Sequence, residues 1–302
     1  MPKKEYTSEP VDPALRISPH SFGQLAEFIT RELGIKMPES KVSLIQSRLL
    51  RRVRDLGLDS IDQYCDFLFS PAEAGAERIH FINAITTNKT DFFREPQHFQ
   101  FLSEKVLPEL ERLKRGALDK RISVWSAACS SGEEPYTLAM ILSEYTAGHP
   151  GFDFRILATD VSTKVLQTAK EGIYSARQIA PVPADFRRKY LLRGKAGHGQ
   201  SGHDRGNHSP ALRITPALRR RVSFHQLNFI DADYRVREMF EVIFCRNVLI
   251  YFDRPTQEAV INKLCRNLIP GGYLFVSHSE SLSGLNLPLI PLRSSCFRKK
   301  GA

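Results

Sequence analysis

The stretch Val124–Leu142, which reads VWSAACSSGEEPYTLAMIL, constrains the fold of this chain more than any other. Arg121–Ala127 is short and apolar, which indicates a buried parallel strand. Small residues follow at Ala128–Gly132, and they let a ligand approach the backbone closely. A helix then opens at Glu133–Glu134–Pro135, because proline and acidic side chains both suit a first helical turn. A strand, a turn of small residues and a helix are typical of the nucleotide crevice in doubly wound α/β folds.

The turn differs from the G-x-G-x-x-G loop of dinucleotide-binding proteins. In such loops the helix N–H groups face a pyrophosphate, which acidic side chains would repel. Glu133 and Glu134 therefore favour a neutral or cationic ligand, and S-adenosylmethionine fits through its ammonium and sulfonium charges. An ordinary βα turn with two solvated glutamates explains the same residues equally well.

Length, charge and cysteine content limit the class of protein. The 302 residues suffice for a sizeable core and two domains. No apolar run is long enough to span a membrane and the N-terminus has no apolar signal core, so a cytoplasmic protein is expected. Five scattered cysteines without a C-x-x-C pair argue for reduced thiols and against a zinc site. The net charge of +10 is compatible with three candidate partners: nucleic acid, a membrane surface and an acidic protein surface.

The N-terminal part is predicted to be helical. Residues 1–16 are polar and are expected to form a disordered tail. Apolar residues recur at helical spacing in Ser18–Leu33 and Lys41–Leu56, and two more helices are predicted at Ser60–Phe69 and Pro71–Thr86. We therefore predict an all-helical domain over residues 17–86.

The second predicted helix is rich in arginine. Four arginines fall within seven positions, and a charge run of this kind is usually a solvated face. Their density also favours docking onto an acidic surface. The candidate docking residues are Arg48, Arg51, Arg52 and Arg54.

Two further polar segments are candidates for ligand contacts. In the connection ITTNKTDFFR, the side chains of Asn88, Thr90 and Arg94 offer donors and acceptors to a ligand, or cap a helix. Phe154–Val161 is predicted as the second strand, and it ends in Asp160 at the position where nucleotide folds place a carboxylate on ribose hydroxyls. Asp160 could instead cap the next helix, although Ser162 can serve as that cap.

The remainder of the chain completes the α/β pattern after an interruption. Gly194–Ser209 is rich in glycine and histidine without periodicity, which indicates a flexible loop rather than a metal site. The segments Ala211–Arg213 and Val222–Asn228 are predicted as strands of a small antiparallel insertion at about residues 185–225. The last elements are a buried strand at Phe240–Asn247, a helix closed by Pro270–Gly272, a strand at Tyr273–Ser277 and an antiparallel terminal pair within Leu289–Arg298.

Several motifs together resemble those of the CheR family, the chemotaxis receptor glutamate O-methyltransferases. They occur in the same order over about residues 18–300: ITTNKTDFFRE, VWSAACSSGEEPYTLAM, ILATDVS, EGIY, FEVIFCRNVLIYFD and GGYLFVSHSES. The resemblance implies a Rossmann-like class I S-adenosylmethionine-dependent methyltransferase domain over residues 87–302. Its fold would be α/β with a mostly parallel seven-stranded sheet, an N-terminal all-helical domain and a small antiparallel β insertion.

The resemblance also implies partners and cofactor contacts. The chain would be a monomer that needs no metal, binds S-adenosylmethionine, releases S-adenosylhomocysteine and methylates glutamates on the cytoplasmic domain of chemoreceptors (methyl-accepting chemotaxis proteins). The arginine-rich helix would dock the receptor, and the insertion would bind a receptor's C-terminal tether peptide. The family's cofactor residues fall on Asn88, Thr90, Arg94, Glu134, Asp160, the pair Asn228–Phe229 and the pair Asn247–Val248. Phe229 stands where an aliphatic residue is expected.

The chemistry of such a transfer needs orientation rather than proton movement. A glutamate acceptor has a pKa near ~4.3 and is already ionised at neutral pH, so no general base is required. A cation and a phenol would suit the task of aiming one carboxylate oxygen at the methyl group. Arg94 and Tyr251 are the candidates. The alternative for Arg94 is a cofactor contact alone, and the alternative for Tyr251 is a core aromatic.

Two other functional classes use the same fold. One is a non-catalytic regulatory module that binds S-adenosylmethionine, and the other is a basic nucleic-acid-binding protein. The basic helix lacks interleaved exposed aromatic residues, and no RNP-like or helix-turn-helix pattern is present, so the sequence predicts no nucleic-acid partner.

Overall fold

A computed structural model describes residues 16–70, 74–114, 120–193 and 211–301 of the chain. The tail predicted for residues 1–16, apart from Arg16, and the glycine- and histidine-rich loop at 194–209 lie outside the described residues. Contacts divide the chain into two compact units that meet between Thr86 and Thr87. None of the helices in the described part combines the length and apolar character that a membrane span requires.

The first unit is all-helical, as the hydrophobic periodicity predicts. Its helices are α1 (Pro19–Leu33), a single 3₁₀ turn (Glu39–Lys41), α2 (Val42–Asp55), α3 (Ile61–Phe69) and α4 (Ala74–Ile85). The hydroxyls of Ser18 and Ser60 accept hydrogen bonds from the first turns of α1 and α3, which fixes where those helices begin. The apolar stripes of the helices meet in one core that includes Leu25, Ile29, Leu49, Val53, Leu68 and Phe81.

The second unit alternates strands and helices. Its strands are β1 (Arg121–Ala127), β2 (Asp153–Asp160), β3 (Ile173–Tyr174), β4 (Leu191–Arg193), β5 (Leu212–Ile214), β6 (Val222–Gln226), β7 (Phe240–Cys245), β8 (Leu268–Phe275), β9 (Leu289–Arg293) and β10 (Cys296–Lys299). Its helices are α5 (Pro96–Phe101), a π-helical turn (Leu102–Val106), α6 (Leu107–Leu113), α7 (Glu133–Gly148), α8 (Thr163–Glu171), α9 (Ala176–Ile179), α10 (Ala184–Tyr190), α11 (Pro216–Arg219), a 3₁₀ turn (Leu249–Tyr251) and α12 (Arg254–Arg266).

The seven-stranded sheet has the order β6-β2-β1-β7-β8-β10-β9. The pairings from β6 through β8 are parallel, and β10 runs antiparallel to both of its neighbours. Six of the seven residues of β1 are buried, as expected for a central parallel strand covered on both faces. The predicted mostly parallel seven-stranded sheet with an antiparallel last strand is therefore confirmed.

The small antiparallel sheet has the order β3-β5-β4 and differs from the prediction in its membership. Val222–Asn228 was assigned to this insertion, but β6 pairs in parallel with β2 and belongs to the main sheet. The cause is the position of β6 at the sheet edge. There Val222 is buried and Ser223 is exposed, which is the alternation that an antiparallel strand also shows. A smaller difference is that β8 begins at Leu268, within the predicted end of the preceding helix.

Candidate functional site

The carboxyl ends of β2, β1 and β7 lie side by side because β1 pairs with both neighbours. This edge is where open α/β sheets bind ligands. Of the six non-glycine residues with positive φ in the described part of the chain, five lie in the segments that converge here: Phe93, Glu95, Ala128, Ser130 and Asn247. Each such residue costs about 1–3 kcal/mol of backbone strain, and such strain clusters at functional sites.

Asp160, the last residue of β2, ties two turns together. One carboxylate oxygen accepts a hydrogen bond from the N–H of Ser130 at 2.9 Å, and the other accepts from the N–H of Ser162 at 3.0 Å. Ser162 is the N-cap of α8, so Asp160 does not have that role. Burial raises the pKa of Asp160, and the N–H donors oppose the shift. The N–H of Val161 also donates to this carboxylate. Three donors leave about one of its four lone-pair sites for a ligand.

Glu134 is held by a buried arginine that the sequence interpretation missed. Its carboxylate accepts from the Ser126 hydroxyl at 2.7 Å and pairs with Arg246 Nη1 at 2.9 Å. Arg246 follows β7 directly, and its side chain is only 2% exposed. Its Nη2 pairs with Glu95 at 2.9 Å and donates to the Arg94 carbonyl at 2.5 Å. The sequence signal was a cation directly after an apolar strand, because such a cation requires a buried anion.

The charges around this arginine leave a net negative site. Burial opposes ionisation of Glu95, but the Ser277 hydroxyl and Arg246 lower its pKa to about 2. Burial raises the pKa of Glu134, and Arg246 counteracts this. With both carboxylates ionised, Glu95, Glu134 and Arg246 together carry one negative charge. The trio therefore suits a ligand that brings a cation, as the sequence of the β1 turn indicated.

Glu133, the neighbouring glutamate, is in a different environment. Its side chain is nearly fully buried and accepts hydrogen bonds that include one from the Ser131 hydroxyl at 2.7 Å. Burial raises its pKa to about 7. Of the two glutamates in this turn, only Glu134 has a buried cation as its partner among the described residues.

A buried carboxylate, Glu280, holds the turn after β7 in place. The sequence interpretation missed this residue, as it missed Arg246. Glu280 accepts four backbone hydrogen bonds of 2.7–3.0 Å, from the N–H groups of Ser277, Asn247, Val248 and Leu249. The Asn247 amide also donates to the Ser277 hydroxyl at 2.7 Å. Because the N–H groups of Asn247 and Val248 are occupied, this pair can contact a ligand through its carbonyl oxygens, the Asn247 side-chain oxygen or the Val248 side chain.

The turn after β6 contains Asn228 and Phe229. The N–H of Leu227, just before it, donates to the Asp160 carbonyl at 3.0 Å, which attaches this turn to the end of β2. The Phe229 carbonyl accepts from Lys263 at 2.6 Å and from the Tyr234 hydroxyl at 3.1 Å. The Phe229 ring packs edge-on against Phe252. With its carbonyl occupied twice, the N–H of Phe229 is its remaining hydrogen-bonding group.

Fewer hydrogen bonds hold the remaining candidate residues in position. The Asn88 carbonyl accepts from the Ser130 hydroxyl at 3.0 Å, which joins residues 88–95 to the β1 turn. Arg94 donates to the Lys89 carbonyl at 3.0 Å, and Thr90 is half-buried. Tyr251 is also half-buried, and among the described residues its hydroxyl makes no hydrogen bond. It is therefore not a fully buried core aromatic.

Glu95 also belongs to a cluster of side chains that could act as metal ligands. The donor atoms of Glu95, His98 and His278 are within 4.8 Å of one another. However, Glu95 already pairs with the Arg246 guanidinium, and His98 Nε2 shares a hydrogen bond of 2.6 Å with Ser295. Burial and Arg246 lower the pKa of His98 to about 4. The neighbouring guanidinium disfavours a second cation here.

The four arginines of α2 divide into two pairs. Arg52 forms two hydrogen bonds of 2.7–2.8 Å with buried Glu77, which also accepts from the Tyr64 hydroxyl, and Arg48 donates to the Ile85 carbonyl. Arg51 is 64% exposed and lies 3.8 Å from Asp55, and Arg54 is exposed. Arg48 and Arg52 thus hold the helical unit together, while Arg51 and Arg54 present charge at its surface.

Comparisons with known proteins follow the division into two units. The family model "CheR methyltransferase, SAM binding domain" matches residues 88–295, and "CheR methyltransferase, all-alpha domain" matches residues 20–86. A chemotaxis protein methyltransferase from Borreliella burgdorferi is 36% identical over 271 residues, covering 89% of this chain and 91% of that protein. The Pseudomonas aeruginosa chemotaxis protein methyltransferase 2 is 37% identical and covers 86% of each chain. The Escherichia coli K12 relative is 36% identical and covers 90% of this chain and 87% of that protein.

Proposed function

The chain belongs to the CheR methyltransferase family and carries its S-adenosylmethionine-binding domain, and from this premise we propose that it methylates glutamate side chains on the cytoplasmic domains of chemoreceptors. The products are glutamate γ-methyl esters and S-adenosylhomocysteine. Relatives over most of the chain are chemotaxis protein methyltransferases, which supports a chemoreceptor substrate. The proposed site of action is the cytoplasm.

The trio of Glu134, buried Arg246 and Glu95 carries the proposal for the cofactor. Its excess of one negative charge at the ends of the central strands suits the ammonium of the methionine part of S-adenosylmethionine. We assign Glu134 to that ammonium and Asp160 to the ribose hydroxyls, since the Asp160 carboxylate can still accept a hydrogen bond from a ligand. Asn88, Thr90, Arg94 and the pairs Asn228–Phe229 and Asn247–Val248 would complete the contacts.

S-adenosylmethionine supplies an activated methyl group, so the protein needs only to position the acceptor. One oxygen of the ionised glutamate forms a bond to the methyl carbon while the carbon–sulfur bond breaks, and the sulfonium becomes a neutral thioether. Arg94 and Tyr251 are proposed to orient the carboxylate. The phenol of Tyr251 has a hydrogen-bonding group to offer, because within the described residues it binds no other partner.

Receptor recognition is assigned to surfaces on both units. Arg51 and Arg54 of α2 present exposed positive charge that complements glutamate-rich receptor segments. Within the described residues, β4 is an outer strand of the small sheet β3-β5-β4 and pairs along one edge, so an extended tether peptide could add to its other edge as a further strand.

The test is methyl transfer from labelled S-adenosylmethionine to a receptor cytoplasmic fragment, followed by mild alkali. Label that transfers and then leaves as methanol supports a carboxyl methyl ester. Alkali-stable label would contradict glutamate as the acceptor. If S-adenosylmethionine binds in calorimetry but no receptor fragment is labelled, the chain is a non-catalytic module. Glu134→Gln should weaken both cofactor binding and transfer, while exposed Glu171→Gln on α8 serves as the matched control.

A further inference from the structure

A cationic pocket opens beside edge strand β6, outside the site described above. It has a volume of about 420 Å³ and lies where α11 and the end of α8 approach α7. Three of its lining side chains are cations, Lys170, Arg219 and Arg220. The remaining walls include Pro216 and Phe224, and none of the described lining residues is acidic.

These three cations have no counterion in the described part of the chain. Among the residues that the structure describes, none of them forms an ion pair or a side-chain hydrogen bond, whereas Arg52, Arg155 and Arg246 all pair with carboxylates. The Nε atom of Arg219 is buried and has no hydrogen-bond partner within residues 16–70, 74–114, 120–193 and 211–301. A buried donor without an acceptor costs about 1–3 kcal/mol, so this arrangement favours an acceptor from outside the chain.

Arg219 is also held in place rather than extended into solvent. A Cβ added at Gly172 would lie 3.2 Å from Arg219 Cδ and 3.3 Å from the Tyr136 hydroxyl oxygen, so the glycine makes room for the arginine. The N–H of Ile214 donates to the Gly172 carbonyl at 2.9 Å, which links the strand before α11 to this same glycine. The side chain therefore has a defined position at the wall of the pocket.

We propose that this pocket binds a small organic phosphate. A phosphate dianion neutralises more than one of the three cations, and its oxygens match the planar donors of a guanidinium. A single carboxylate would leave two positive charges uncompensated. The apolar faces of Pro216, Val222 and Phe224 can contact the organic part, and the volume lies in the range of small-molecule sites, about 300–1,000 Å³.

The experiment is calorimetry on the full chain with inorganic pyrophosphate and ribose 5-phosphate as probes. S-adenosylhomocysteine is added first, so that the candidate cofactor crevice is occupied. We expect saturable binding of one equivalent with a Kd below about 1 mM. Arg219→Gln and Lys170→Gln should each raise the Kd about tenfold, equivalent to about 1.4 kcal/mol. Arg193→Gln, an exposed arginine on β4 outside the pocket, should leave the Kd unchanged.

Three outcomes would overturn the proposal. The first is no saturable binding of either probe up to about 10 mM, well above the expected Kd. The second is equal weakening by Arg193→Gln, which would indicate nonspecific charge attraction. The third combines two results: the wild type binds no phosphate, and Arg219→Gln has a higher KM for the receptor fragment. The pocket would then be a docking point for acidic protein side chains. If Arg219→Gln does not fold, the same measurements are made on Lys170→Gln and Arg220→Gln, which change exposed side chains.

Discussion

Arg246 shows how one residue can organise a site whose other members are far away in the chain. It binds Glu95 and Glu134, which precede it by 151 and 112 positions, and its guanidinium lies 5.5 Å from the ring centre of Phe99. Among the described residues, it is the cation that these two half-buried carboxylates share. We therefore propose that Arg246 is a positioning residue for Glu134.

Removing this cation should destabilise the folded protein. We expect Arg246→Met to lower the free energy of unfolding by about 3 kcal/mol, because it removes the buried cation that pairs with two half-buried carboxylates. Arg246→Met combined with Glu95→Gln should recover part of that loss, since one uncompensated charge disappears. Urea unfolding measures both, and calorimetry should show weaker S-adenosylmethionine binding in Arg246→Met. Equal stability of wild type and Arg246→Met would contradict the structural role given to this ion pair.

Glu133 gives the protein a pH-dependent weakness. Its pKa is raised by burial from the ordinary value of 4.5 to about 7, so the folded state binds this proton more tightly than the unfolded state does. The resulting destabilisation grows as the pH rises from 4.5 to 7 and is complete above that. Glu133→Gln should thus add up to about 3 kcal/mol of stability near pH 8 and almost none near pH 4. Unfolding curves at both pH values test this, with Glu171→Gln as the control. A pH-independent gain would mean that burial does not shift this carboxyl.

Helix α2 illustrates what periodicity predicts and what it cannot. The apolar spacing fixed the helix and its buried face, including Ile45, Leu49 and Val53. It could not distinguish arginines that pair within the unit from those that face solvent, because Glu77 lies on another helix 25 positions away. The same limit applies to β6, whose alternating burial pattern does not reveal whether its neighbour is parallel.

The two kinds of arginine in α2 should separate in experiment. Arg52→Ala leaves Glu77 buried and unpaired and should lower the free energy of unfolding by about 3 kcal/mol. Arg51→Ala with Arg54→Ala should change stability by less than about 0.5 kcal/mol, because both side chains are exposed. The double variant should instead raise the KM for the receptor fragment several-fold at unchanged kcat. A normal KM in the double variant would remove α2 from the docking surface.

At the level of the whole chain, the motifs and their order predicted the seven-stranded sheet, and the short final connection predicted its antiparallel last strand, but β6 was wrongly assigned to the insertion. They also pointed to the turns after β1, β2, β6 and β7. The motifs did not reveal the long-range partners that hold those turns, because Glu280 and Arg246 lie in segments that read as ordinary polar residues after strands. Their roles follow only from the tertiary contacts of their buried charges.

The net charge of +10 leads to a prediction about the whole protein. Raising the ionic strength from about 0.1 M to about 1 M shortens the Debye length from about 10 Å to about 3 Å, which screens exposed charges far more than buried ones. The KM for a glutamate-rich receptor fragment should therefore rise several-fold at unchanged kcat. The Kd for S-adenosylmethionine should change by less than about twofold, since Glu134 and Arg246 are almost wholly enclosed.

Steady-state kinetics and calorimetry across a salt series measure both quantities. The Arg51→Ala, Arg54→Ala double variant should show a shallower salt dependence of KM than wild type. Equal salt sensitivity of the cofactor Kd and the receptor KM would mean that the positive surface does not select the substrate.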